Sequence, residues 1–101
     1  DGLFSIISKA KVGFANANGE IVISPQYFAA SSFKNGIAKI TYKGKKIKEG
    51  EYTRIIKGKW GLINTKGEII IPCYYDEIVF CEDGSLNLIN EGHVVNIRIM
   101  Q

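Results

Sequence analysis

The chain is short of the residues on which most protein chemistry relies: it has one histidine, two cysteines, two prolines, one tryptophan and one methionine. Each shortage excludes something. Cys73 and Cys81 are too few for a disulfide scaffold, so two free thiols are expected, with a single disulfide as the alternative. A zinc site would have to draw on Cys73, Cys81, His93 and a carboxylate without any Cys-x-x-Cys pair, and no spacing supports it. A Cys-His nucleophile, with Asn64 as third member, finds no support in the spacing either. No Walker or Gly-x-Gly-x-x-Gly fingerprint occurs, which removes the usual phosphate cradles. Asp76-Glu77 and Glu82-Asp83 could stand together as a glycosidase pair, but solvated turn acids are the commoner use of such residues. No enzyme activity, metal or cofactor is expected.

Long apolar runs are lacking too. None approaches the ~20 residues of a membrane-crossing helix, so no membrane span is expected. No window carries a sustained 3.6-residue apolar stripe, so no long helix is expected, at most a single helical turn near residues 29–33 or within 45–51. The segment Asp1-Gly2-Leu3-Phe4 has neither an initiator Met nor a basic leader followed by an apolar stretch. That predicts no signal peptide and points to a trimmed or excised domain, leaving the compartment open. A formal net charge of +3 is too mild to argue for nucleic acid by itself.

What is present is a β pattern. A content of 46% hydrophobic and 23% charged residues is that of a folded chain rather than a disordered one. Its 101 residues make one domain or a piece of a longer array, and bury roughly two-thirds of the unfolded surface. Short β-branched and aromatic stretches, 3–7, 11–15, 20–23, 37–42, 52–56, 59–64, 68–71, 74–80, 85–89 and 93–100, are separated by Gly, Asn, Lys and Ser turns. Residues 26–33 read as a short strand or irregular crossing. Pro25 and Pro72 are expected to stop their strands because they lack an N–H.

The pattern repeats. Val12-Gly13-Phe14-Ala15-Asn16-Ala17-Asn18-Gly19-Glu20-Ile21-Val22-Ile23 lies over Trp60-Gly61-Leu62-Ile63-Asn64-Thr65-Lys66-Gly67-Glu68-Ile69-Ile70-Ile71 without a gap, continuing to Tyr27 over Tyr75. The spacing is 48 residues from Lys11 to Lys59 and 34 from Lys59 to His93, a difference of 14 that reads as an insertion at about 43–56. The resulting division is a stub 1–10, repeat one 11–58, repeat two 59–92 and a partial repeat 93–101. Gly19 and Gly67 are read as turn residues, and Gly13 and Gly61 as places where backbone approaches backbone.

The run Lys59-Trp60-Gly61-Leu62-Ile63-Asn64-Thr65-Lys66-Gly67-Glu68-Ile69-Ile70-Ile71-Pro72, followed by Tyr75-Asp76, resembles the bacterial WG-repeat family, also called KWG repeats. The first unit departs from it, with Val12 in place of Trp and Phe28 in place of Asp. The resemblance covers most of the chain and implies a β-rich repeat module, with no assigned activity. The expected fold is all-β: an antiparallel meander of short hairpins, in a strongly twisted sheet or with a small barrel-like closure, each unit sharing its core with the next.

Two surfaces are candidates for contact. Tyr27, Tyr74 and Tyr75 follow the prolines, where a ridge for a protein or glycan is expected. Segment 43–59 carries seven positive charges against two negative, with Lys45, Lys46, Lys48 and Arg54 interleaved with Tyr42 and Tyr52. Basic groups among aromatics can track an anionic polymer, nucleic acid or acidic glycan, although lysines also protect exposed strand edges. Trp60, sharing a strand face with Leu62, is expected in the core. The functional expectation is a non-enzymatic module that binds a protein partner or a neighbouring domain of its parent chain, with the anionic polymer as the alternative.

Overall fold

The computed structural model describes residues 2–99. Among them twelve strands and no helix are found: β1 Leu3–Ser8, β2 Lys11–Asn16, β3 Ile21–Tyr27, β4 Ala29–Ala30, β5 Ile37–Thr41, β6 Lys45–Glu49, β7 Tyr52–Ile56, β8 Trp60–Asn64, β9 Ile69–Tyr75, β10 Glu77–Phe80, β11 Leu86–Asn90 and β12 His93–Ile97. Every strand pair is antiparallel. The strands form neither one sheet nor a closed barrel. They divide into a first sheet β1-β2-β3, a central sheet β4-β5-β8-β9, a third sheet β10-β11-β12 and a separate hairpin β6-β7. The short segments near residues 29–33 and 45–51, read as possible single helical turns, hold β4 and β6 instead.

The three sheets stack through side chains that alternate along each strand. Phe14, Ile23 and Tyr27 of the first sheet pack against Ala38, Ile40 and Ile63 of the central sheet. The opposite face of the central sheet sends Ile37 and Leu62 against Ile78, Leu86 and Leu88 of the third. Ile37 and Ala38, like Leu62 and Ile63, are neighbours pointing to opposite cores. The central sheet is thus apolar on both faces, and each repeat unit is split between two sheets. Its first two strands belong with the last strand of the preceding unit.

The Trp-Gly and Ile-Pro elements of the repeat belong to one device. Val12 pairs with Tyr27 and Phe14 with Ile23, so Ser24, Pro25 and Gln26 bulge opposite Gly13 alone. In the second unit Trp60 pairs with Tyr75 and Leu62 with Ile71, leaving Pro72, Cys73 and Tyr74 opposite Gly61. A Cβ on Gly13 would lie 2.5 Å from the Ile23 carbonyl oxygen and the Pro25 nitrogen, and one on Gly61 would strike the Ile71 carbonyl oxygen. The prolines therefore do not end their strands. Each sits in a bulge, where a missing N–H costs no ladder bond, and the facing glycine makes room for the bulged backbone.

The turn between these strands is also duplicated. Asn16 Oδ1 accepts from the Asn18 and Glu20 amides at 3.0 Å, and its Nδ2 donates to Glu20 Oε1. Asn64 makes the same three bonds with Lys66 and Glu68. Gly19 and Gly67 supply the left-handed residue at φ +83° and +82°.

Candidate functional site

The hairpin β6-β7 interrupts the connection from β5 to β8. Elsewhere the corresponding connection is a tight turn: Lys9-Ala10 joins β1 to β2, and Glu91-Gly92 joins β11 to β12, all four at positive φ. The hairpin meets the body of the protein at Phe28, whose ring centroid lies 5.4 Å from Lys46 Nζ, while within the inserted segment the Ile55 side chain reaches Gly44. Beside it opens a groove of about 560 Å³ lined by Lys39, residues 53–58, Trp60 and residues 76–78.

Two edge strands contribute to the lining of this groove. Residues 53–56 of β7 line it consecutively, as do Glu77 and Ile78 of β10. A sheet face would contribute only alternate residues. β7 is paired on one side only, with β6, and β10 on one side only, with β11. Trp60 and Lys39 line the groove too, with Lys39 Nζ 5.5 Å from the Trp60 ring centroid and 5.9 Å from that of Phe80. The lysine stem runs along apolar surface while its charge meets the ring faces. Trp60 is half-buried, packed on the core side that holds Leu62.

Charge is fixed at one rim. Lys59 Nζ donates to Asp76 Oδ1 and, at 3.1 Å, to Asn90 Oδ1. The Glu91 amide donates to Asp76 Oδ2 at 2.8 Å. The Lys59 hydrogen bond and the Glu91 amide hold the Asp76 carboxyl below the usual carboxylate range. In the first unit Phe28 stands in the place of Asp76, and Lys46 from the hairpin covers it. An ionic tie in one repeat is thus matched by a cation over an aromatic ring in the other.

The aromatic ridge expected from the sequence does not form. Tyr27 is only 1% exposed and belongs to the core between the first and central sheets. The bulge at Pro25 turns it inward opposite Val12, and burial raises its phenol pKa. Tyr75 is half-buried against the other core, leaving Tyr74 exposed with its ring edge toward Tyr75. Tyr42 is exposed beside Tyr27, and Tyr52 is 80% exposed at the hairpin tip.

The basic residues are divided by the pleat. Lys46 and Lys48 share one face of the hairpin, whereas Lys45 and Arg54 lie on the other, where Arg54 pairs with Glu49 at 2.8 Å. Of the nine residues singled out from the sequence as contact residues, Arg54 alone lines the groove, beside Trp60, Asp76 and Glu77, which the sequence reading considered for the core or for a carboxylate pair. Sequence reading passed over Lys39 and did not place the strand that holds β10 at a contact surface. Lys39 looks like the polar position of an alternating strand, and only the register Lys39↔Leu62 puts it on the face of Trp60.

No metal-binding group of three or more His, Cys, Asp or Glu residues is found among the described residues. Cys73 and Cys81 are both unpaired. The Cys73 thiol contacts the Ile40 carbonyl oxygen, and burial pushes its pKa upward, away from the thiolate a nucleophile needs. His93 is exposed at the start of β12. No described helix is long and apolar enough to cross a membrane.

A family model for the WG containing repeat matches residues 13–46 and 60–84. Both matches begin at or beside the Trp-Gly position and run past the bulged proline. No curated protein and no solved structure matches the chain.

Proposed function

The chain belongs to the WG-repeat family, and on that premise we propose that it is a non-enzymatic module that binds another protein or a neighbouring domain of its parent chain. The contact site is the groove between β7 and β10, and its ligand is an extended segment that adds to one or both strand edges. The observation that carries this reading is that two singly paired strands, β7 and β10, both line one groove. Strand addition draws affinity from main-chain hydrogen bonds and selectivity from side-chain positions beside the edge. Here those positions are Trp60, Lys39, Ile55 and Glu77.

Peptides selected by display against the immobilised chain provide the test. They should bind in a manner little affected by salt, slow amide exchange in β7 or β10, and lose binding roughly tenfold or more when residues 45–58 are deleted. That deletion leaves Lys43-Gly44 as a two-residue turn like Glu91-Gly92. Selected peptides that protect neither strand, or that bind the deleted chain equally well, would overturn the reading. An anionic polymer along segment 43–59 remains a distinct alternative with less support, since the pleat separates Lys45 from Lys46 and Lys48. Polyanion binding that falls steeply with salt would favour it.

A further inference from the structure

Lys39, Trp60 and Phe80 meet at one junction of the stack and have no counterpart at the other. Strand register sets Lys39 of the central sheet in the place of Ser5 of the first, and the 48-residue offset sets Trp60 in the place of Val12 and Phe80 in that of Ser32. The junction of the first and central sheets thus has two hydroxyls and a valine where that of the central and third sheets has an ammonium and two rings. Stacking of the sheets does not require the trio. The inserted hairpin lies at the same junction, as does Glu77, which stands in the place of Ala29.

The charged side chains that line the groove are Lys39, Arg54, Lys57, Asp76 and Glu77. Two are already committed, Arg54 to Glu49 and Asp76 to Lys59. Among the described residues Lys39, Lys57 and Glu77 form no ion pair, which leaves two cations against one acid. Of the two cations Lys57 is exposed and Lys39 half-buried. The partners of Lys39 Nζ are the two ring faces, at 5.5 and 5.9 Å. A ring face attracts the charge of an ammonium, but its three N–H donors find no strong acceptor there.

We propose that the segment that adds to β7 or β10 carries an acidic side chain, Asp or Glu, whose carboxylate pairs with Lys39 beside Trp60 and Phe80. This depends on the strand addition proposed above and specifies what the added segment contains. The carboxylate supplies the acceptors that the rings lack, in charge-assisted hydrogen bonds roughly twice as strong as neutral ones. One acid fits and a run of them does not, because Asp76 and Glu77 in the same lining repel further negative charge. A single half-buried pair also keeps the salt dependence of binding shallow, unlike that of a polyanion.

Display selection against the immobilised whole chain tests the pairing, with each peptide fused through its C-terminal end so that its only carboxylates are side chains. Peptides that slow amide exchange in β7 or β10 should share an Asp or Glu at one fixed position. Replacing that acid with Asn or Gln should weaken binding roughly tenfold, as loss of a hydrogen bond to a charged group does. Lys39→Met, which keeps an apolar stem, should bind the acidic peptide and its amide form alike, and Lys39→Glu should select Lys or Arg at that position instead. The exchange on the peptide leaves the protein unaltered, so it decides the point even where a substitution at Lys39 disturbs the fold. Peptides that protect β7 or β10 without a fixed acid, or whose acid is indifferent to Lys39→Met, would overturn the pairing and leave strand addition standing. Peptides that protect neither strand would overturn both. Selection of runs of acids, with binding that falls steeply with salt, would overturn the pairing in favour of a polyanion.

Discussion

Gly61 is the residue on which the local chemistry of the repeat turns, because the proline bulge opposite leaves no room for a Cβ. Gly61→Ala must either flatten the bulge or push β8 and β9 of the central sheet apart, which should cost about 3 kcal/mol, the upper range for overpacking. Gly19→Ala is the control. Nothing lies within 4 Å of a Cβ there, so only the φ of +83° is strained, at about 1–2 kcal/mol. Urea unfolding of both variants decides the point, and a Gly61→Ala cost no larger than that of Gly19→Ala would sink the bulge account. Carboxylates are the other single residues with a clear consequence. Asp76 is held low by Lys59 and the Glu91 amide, and Asp83 by the Ser85 hydroxyl and amide. Unfolded, each titrates near about 3.9. Their contribution is thus fully present above that value and disappears as pH falls through the lower folded pKa, where the unfolded chain holds more protons. The melting temperature should be level from neutral pH to about 5 and decline below about 4. Asp76→Asn should soften that decline, and an unchanged slope would remove Asp76 from the account.

At the scale of elements, most strands were legible because alternation and turn chemistry are local properties. Asn16-Ala17-Asn18-Gly19 and its copy at Asn64 announced their hairpins, and the unequal spacing of the lysines marked the region where β6 and β7 lie. Two things were not legible. The strand that continues through Pro25 was missed because a proline reads as a stop unless the glycine facing it is known, and that facing depends on register. Tyr27 was misplaced for the same reason, since the bulge changes which way the strand points its next side chain. The Lys9-Ala10 turn shows an element whose sequence fits its conformation poorly. Both residues have positive φ, 52° and 65°, without a glycine, where the favoured pair for a two-residue hairpin is Asn-Gly. Replacing Lys9-Ala10 with Asn-Gly should stabilise the chain by about 1 kcal/mol, given what left-handed backbone costs a residue with a Cβ. Thermal melting checks it, and a loss of stability would mean that Ala10 is held by something other than the turn.

For the whole molecule, the partition into sheets was hidden because it depends on which unit a strand pairs with. β5 and β8 are separated by the inserted hairpin, yet they lie side by side, while β3 and β4, nearly adjacent in sequence, belong to different sheets. This partition makes stability uneven. β5 and β8 lie inside a sheet that is buried on both faces, so exposing their amides requires both cores to open. β1 and β12 each lose protection when one core opens, and β6-β7 can separate without disturbing either. Native-state hydrogen exchange should therefore be slowest at Ile40, Leu62 and Ile63, faster in β1 and β12, and fastest in β6 and β7. Ile40→Ala, which leaves a void between the first and central sheets at about 2–5 kcal/mol, should accelerate exchange in β1 and β2 more than in β11 and β12. Equal acceleration at both ends would mean that the three sheets open as a single unit, with the central sheet transmitting damage from one core to the other; confinement to the first sheet would make the stack a chain of separable interfaces, each resting on its own apolar contacts.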